Sequence, residues 1–217
     1  MRNLLSRIRL ARNILFRHTL YYYPPVELRP ERMALWLECI KTTSQVAGDI
    51  VEVGCYLGGT AVITSRMIER LGFRKQYFGI DTFSGFLEPD FEADIALGNI
   101  PDNKWVASDG CKSLAQWIAR YHNAHNVQFI EGNIATLVLD DKIGMISCAL
   151  VDCDLAAPTY SALIRLYPKL AAGGTLLVDD CSSRYKWQAR RGVERFSKEM
   201  KIDFLLKDGM ALLTKTL

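Results

Sequence analysis

The chain has 217 residues, 49% hydrophobic and 24% charged, with a formal net charge of +3. This is ordinary globular composition; it excludes a disordered, collagenous or low-complexity chain, and at this length a core forms without disulfides or a structural metal. The charge is uneven: Arg2, Arg7, Arg9, Arg12 and Arg17 fall within residues 1–20 with no acid, and the remainder is nearly neutral, so no nucleic-acid partner is expected.

Residues 1–20 have Leu4, Leu5, Ile8, Ala11 and Leu15 at helical spacing, with most arginines on other faces. This is a basic amphipathic helix. Three roles compete for it: packing on the domain or on a second subunit, membrane-surface contact, and a transit peptide. Arg9, Arg12 and Arg17 interrupt the apolar residues, so no secretory signal is read there, and no apolar run is long enough to span a membrane. Tyr21–Pro25 ends the helix. The expected division is an N-terminal helix and linker over residues 1–30 and one domain over residues 31–217.

A helical stretch follows Pro30, and from Asp49 strands and helices alternate. The expected strands are Asp49–Gly54, Gln76–Asp81, Val127–Gly132, Met145–Asp152 and Thr175–Asp180, with helices near 59–72, 104–123, 157–171 and 186–200. Near-continuous apolar strands between helices indicate a parallel sheet covered on both faces, a doubly wound α/β fold. At the end, two apolar runs flank Asp208-Gly209, the signature of an antiparallel hairpin with a type I′ turn. Residues 82–103 read as a loop of about 20 residues, acidic with interleaved Phe83, Phe86 and Phe91, and long enough to act as a lid.

The first strand runs into Glu52-Val53-Gly54-Cys55-Tyr56-Leu57-Gly58. A strand, a glycine turn and a helix make a ligand site at the carboxyl edge of a sheet. The dinucleotide fingerprint fails because Tyr56 stands where its second glycine would admit a pyrophosphate. Asp81 ends the second strand, where a carboxylate can accept from both ribose hydroxyls or cap a turn. Together these favour S-adenosylmethionine over NAD, with Glu52, Gly54, Tyr56, Gly58, Asp81, Thr82 and Asp152 as candidate cofactor residues.

Asp152 and Asp154 close the fourth strand, and Asp179 and Asp180 close the fifth. Neighbouring carboxylates about 4 Å apart repel by about 4 kcal/mol at an effective dielectric near 20. They need a proton, a basic partner or a cation. An all-oxygen set favours Mg²⁺, or Ca²⁺, over zinc. Some of these four carboxylates would be the metal ligands, others helix caps or solvent-facing; the candidate catalytic carboxylates are Asp152 and Asp154. His18, His122 and His125 are not placed for chemistry. The six cysteines form no C-x-x-C pair and read as reduced thiols, which points to a cytoplasmic setting.

GDIVEVGCYLGGTAV, FGIDTFSGF, VDCDLAAPTYSALIRLYPKLAAGGTLLVDD and RRGVERF resemble the TylF/MycF macrocin-type O-methyltransferases, class I enzymes dependent on S-adenosylmethionine and Mg²⁺. The resemblance implies strand order 3-2-1-4-5-7-6 and a homo-oligomer whose N-terminal elements help cover the site. It implies methyl transfer to a hydroxyl of a small molecule, a sugar or glycosylated natural product. It implies Asp152, Asp179 and Asp180 as metal ligands, cofactor contacts at Glu52, Gly54 and Asp81, and Ser108 near the adenosine end. Two departures stand out. Ala156-Ala157 replaces an aromatic and acidic pair, and Asn133-Ile134-Ala135-Thr136 lacks an Asp. These departures keep a cofactor-binding protein without catalysis as an alternative, beside a phenolic acceptor.

Overall fold

The computed structural model describes residues 4–98, 110–184 and 186–216. The N-terminal segment forms two short helices, α1 (Leu4–Leu15) and α2 (Arg17–Leu20). The expected alternation then appears as α3 (Pro30–Thr42), β1 (Asp49–Val53), α4 (Gly59–Leu71), β2 (Tyr77–Asp81), α5 (Glu88–Ala96), α6 (Lys112–Tyr121), β3 (Val127–Glu131) and β4 (Ile146–Val151). The chain closes with α7 (Ala156–Leu166), β5 (Leu170–Val178), α8 (Ala189–Met200), β6 (Leu205–Lys207) and β7 (Met210–Thr214).

The seven strands form one sheet in the order β3-β2-β1-β4-β5-β7-β6. The first five are parallel to their neighbours; β7 runs antiparallel to both β5 and β6. Asp208 and Gly209 both adopt positive φ, 52° and 82°, as a type I′ turn requires. Alternate strand residues face opposite layers. Ile50, Cys148 and Leu177 pack with Trp36, Ile68 and Ile118 of α3, α4 and α6. Their neighbours Val51, Ala149 and Leu176 pack with Leu163 and Phe196 of α7 and α8. The period of 2 along each strand thus builds two cores, one on each face.

Several boundaries differ from expectation: α7 ends at Leu166 rather than near residue 171, and α6 begins at Lys112 rather than near residue 104. β5 begins at Leu170, five residues before the expected start, because the chain turns directly out of a short 3-10 segment at Tyr167–Lys169. The acidic segment after Asp81 is not a continuous loop, since α5 occupies its middle. Phe86 stacks on Phe91 at 5.9 Å between centroids and meets Trp187 at 5.6 Å, so the aromatic residues hold this helix against the segment that follows β5.

α1 is amphipathic as expected, but its burial is inverted. The buried residues are Ser6 and Asn13, while Leu4, Leu5, Ile8 and Leu15 are exposed. The linker behind it joins the core through Tyr21 and Leu28. Among the described residues, no helix is long and apolar enough to cross a membrane.

Candidate active site

The chain builds β1, β2 and β3 outward in one direction, then returns to add β4 and β5 in the other. The turns leaving β1 and β4 therefore diverge, and a crevice opens at their carboxyl ends. A cavity of about 860 Å³ lies there. It has two halves.

The first half surrounds the glycine turn. Gly54 has φ +89°, and a Cβ there would stand 1.9 Å from the Asp152 carbonyl oxygen. Glycine lets the ends of β1 and β4 approach this closely. Tyr56 and Phe83 also take positive φ, 46° and 49°. One carboxylate holds both: Asp81 Oδ2 accepts from Tyr56 N at 2.8 Å, and Oδ1 accepts from Phe83 N at 2.7 Å. Asp81 thus staples the turn after β1 to the turn after β2. Burial pushes its carboxyl above the usual range, and the amide donors pull it back. Thr82 lines the same wall and donates to the Gly85 carbonyl at 2.8 Å. Gly132, Asn133 and Ile134 complete this half after β3; Asn133 spends its Oδ1 on Ala135 N at 2.9 Å.

Glu52 forms the floor. It is 2% exposed and accepts from the Tyr77 hydroxyl at 2.7 Å. Burial pushes its carboxyl up to about 8, opposed by that hydrogen bond and reinforced by the charge of Asp81. In the unfolded chain the value is 4.5. The folded protein therefore binds more protons than the unfolded chain between pH 4.5 and 8, and stability falls as pH rises through this window. The cost is at most about 1.4 kcal/mol per pH unit. Glu52→Gln is expected to remove this part of the slope and to melt higher than the parent protein above pH 8. Thermal melts of both proteins across the pH range check it; parallel curves would refute the assignment.

The second half holds the carboxylate cluster. Asp152, Asp154, Asp179 and Asp180 all line the cavity, as the sequence pattern indicated. Burial and the charge of Asp179 raise Asp152, and burial and the charge of Asp180 raise Asp154, both well above the usual carboxylate range. Asp154 and Asp180 adopt positive φ, 60° and 55°, just beyond the ends of β4 and β5.

The expected metal trio of Asp152, Asp179 and Asp180 does not form a ligating group in this arrangement. Among the described residues, no three His, Cys, Asp or Glu side chains gather as one. Two of the three carboxylates pair instead with Arg32 of α3, which sequence reading missed. Its Nη1 donates to Asp179 at 2.6 Å and to Asp180 Oδ1 at 2.8 Å, with the guanidinium 4% exposed. Burial works against the charge of Arg32, but Asp179 and Asp180 outweigh it and hold the cation. A basic partner therefore answers two of the carboxylates. The signal was present: Arg32 stands on the buried stripe of α3 with Leu35, Trp36, Cys39 and Ile40.

Other expected positions divide. Gly58 does not line the cavity; it packs under Phe129, whose ring a Cβ would meet at 2.4 Å. Ser108 lies outside the described residues. Cys55, Thr60 and Arg9 line the cavity without having been singled out for it. No histidine lines it: His18 sits edge-on to Trp117, and His122 meets the Tyr21 carbonyl at 3.0 Å. At Ala156, where the resemblance implies a neighbouring acid, an acid comes from elsewhere. Asp94 of α5, 1% exposed, accepts from Ala156 N at 3.2 Å and caps α7.

The cofactor half fits an adenosine ligand with an amino-acid tail: a glycine-closed turn, a stapled acidic strand end and a neighbouring pocket after β3. Comparison with known proteins bears on the fold and the family. A solved structure of the O-methyltransferase NovP superposes with a TM-score of 0.72 at 18% identity, covering 98% of this chain and 100% of that one. CalS11, a calicheamicin methyltransferase, gives 0.68 at 17% identity, over 96% and 91%. These likenesses show the fold. In sequence, the chain is 26% identical over 154 residues to the demethyldecarbamoylnovobiocin O-methyltransferase of Streptomyces niveus, covering 66% of this chain and 57% of that protein. It is 25% identical over 148 residues to 8-demethyl-8-(2,3-dimethoxy-alpha-L-rhamnosyl)-tetracenomycin-C 4'-O-methyltransferase of Streptomyces olivaceus, again over 57% of its length. The chain thus spans less than two thirds of these relatives. The family model of macrocin O-methyltransferase (TylF) matches residues 28–209, which include all the cavity-lining residues except Arg9, Pro25 and Glu27, and so the chain belongs to the TylF macrocin O-methyltransferase family.

Proposed function

We propose that this protein transfers a methyl group from S-adenosylmethionine to a hydroxyl of a small acceptor, a sugar or glycosylated natural product. One observation carries this reading: the stapled glycine turn and the buried carboxylate cluster share a single cavity. The names of the curated relatives support the acceptor class, since both methylate natural products and one acts at a 4'-position.

S-adenosylmethionine, when bound, supplies an electrophilic methyl on a sulfonium. The chain's own residues supply position and proton acceptance. Asp81 and the turn at Gly54 fix the cofactor half, and the cluster beyond fixes the acceptor hydroxyl beside it. Holding both reactants in one geometry contributes several kcal/mol, with about 7–11 as the upper range. Asp154 lines the same cavity as Asp152. Burial and Asp180 raise its carboxyl, which makes the ionised form a stronger base toward a hydroxyl proton. α5, pinned by Asp94 and joined through Phe91 to Phe86 and Trp187, walls the cavity with Asp90.

When ionised, the four carboxyls carry more negative charge than Arg32 balances, and the donor set is all oxygen, which fits a hard divalent cation such as Mg²⁺. Asp152, Asp179 and Asp180 would hold it once Arg32 releases its pair. It would lower the pKa of a coordinated hydroxyl.

The test is methyl transfer from labelled cofactor across a panel of nucleotide-linked and natural-product-linked sugars, with and without Mg²⁺. Turnover is expected on a sugar acceptor, and Asp154→Asn should lower kcat by about 100- to 10,000-fold. Cofactor binding with no turnover on any acceptor would overturn the enzyme reading.

A further inference from the structure

α1 reverses the usual order of an amphipathic helix. Its inward face is polar: Ser6 and Asn13 are buried, Arg9 lines the cavity, and Arg17, just beyond, lies over the Trp117 ring at 5.1 Å. The outward face is an unbroken apolar stripe of Leu4, Ile8, Ala11 and Leu15, at helical spacing. Leu4 is 72%, Ile8 56% and Leu15 75% exposed. Exposed Arg7 and Arg12 flank the stripe, and Phe16, Leu20, Tyr22 and Tyr23 extend the exposed apolar surface beyond it. No acid occurs before Glu27.

We infer that the outer face of α1 docks on an anionic lipid bilayer, lying in the interface with its leucines and isoleucine in the acyl boundary and its arginines at the headgroups. The charge distribution selects this occupant. Two copies meeting through α1 would oppose Arg7 and Arg12 to like charge, with no acid on the helix to relieve them. An anionic headgroup layer matches the flanks, while the acyl boundary takes the stripe. Aromatic side chains such as Tyr22 and Tyr23 suit the same boundary. At 12 residues the helix is too short to span, so the contact is along the surface.

The test uses the full chain with vesicles of phosphatidylcholine alone and of phosphatidylcholine with one third phosphatidylglycerol. Co-sedimentation is expected with the anionic vesicles, at least tenfold stronger than with neutral ones, and weakened by salt near 1 M, where the Debye length is about 3 Å. Ile8→Glu with Leu15→Glu should abolish it. Both side chains point outward, so the double variant should keep the parent melting temperature. Arg7→Gln with Arg12→Gln offers a milder second variant that should lose most of the preference for anionic vesicles. Failure of the parent protein to sediment with anionic vesicles, equal binding to both compositions, or unchanged binding by the double variant would each overturn the proposal. A parent dimer in solution that Ile8→Glu with Leu15→Glu converts to a monomer would overturn it too, by assigning the face to a second copy.

Discussion

Arg32→Met is expected to lower the melting temperature by roughly 6–20 °C at neutral pH. The side chain is buried, and a single nitrogen bridges Asp179 and Asp180. Removing one partner of a buried ion pair leaves uncompensated charge, which costs about 3–5 kcal/mol. Here two adjacent carboxylates lose the same partner, and Asp152 and Asp154 already stand nearby. Burial and the charge of Asp180 push Asp179 up to about 6 even with Arg32 in place. The destabilisation should therefore shrink as pH falls and these groups take up protons. Arg32→Met should also bind Mn²⁺ at least tenfold more tightly than the parent protein, because the cation then meets no competing guanidinium. Added Mn²⁺ should recover part of the lost melting temperature. Calorimetric titration of Mn²⁺ without substrates, beside thermal melts, reads both effects. If the variant melts like the parent protein, the pairing is not a stabilising element; if its Mn²⁺ affinity is unchanged, Arg32 does not compete for the carboxylates.

Arg32 also marks the boundary of what the sequence disclosed. The strands were legible because buried parallel strands are written as apolar runs ending in glycine or aspartate, and the switch-point geometry follows from their order. The hairpin was legible because Asp208-Gly209 has few other uses between two apolar runs. The carboxylates at the ends of β4 and β5 were legible as a group, since the fold places those ends side by side. Their partner was not. Arg32 lies 147 residues from Asp179, and nothing local distinguishes it from a solvated helix arginine except its place on an apolar stripe. Asp94 was hidden similarly: in sequence it belongs to an acidic stretch, while in space it caps a helix whose first residue lies 62 positions later. α1 was legible as amphipathic, but periodicity gives two faces without saying which one meets the protein. Gly58 resembled a ligand glycine because a glycine that admits a ligand and one that admits a phenyl ring share the same local spacing.

The same distinction between a ligand contact and a structural contact bears on Asp81. Asp81→Ala is expected to weaken binding of S-adenosylhomocysteine, a non-reactive analogue of the proposed cofactor, by at least about 100-fold. Its two oxygens each accept from a backbone amide of a residue held in the left-handed region, Tyr56 on one turn and Phe83 on the next. Non-glycine residues occupy that region at a cost of about 1–3 kcal/mol each, which the surrounding bonds must outweigh. Hydrogen bonds to a charged acceptor contribute about 1.5–3 kcal/mol each. Without the carboxylate, both turns are free to relax out of the conformation that shapes the cofactor half, and any direct bond to ribose is lost as well. Asp81→Asn keeps one acceptor oxygen and places an amide donor against the other backbone N–H. It should therefore disrupt one turn more than the other and fall between the parent protein and the alanine variant. Calorimetric titration of all three proteins, with melts to follow the turns, separates the two contributions. Lower melting with unchanged affinity would make Asp81 a staple alone, whereas lower affinity with an unchanged melt would make it a ligand contact alone. The positive φ angles on both of its partners argue that the two losses occur together.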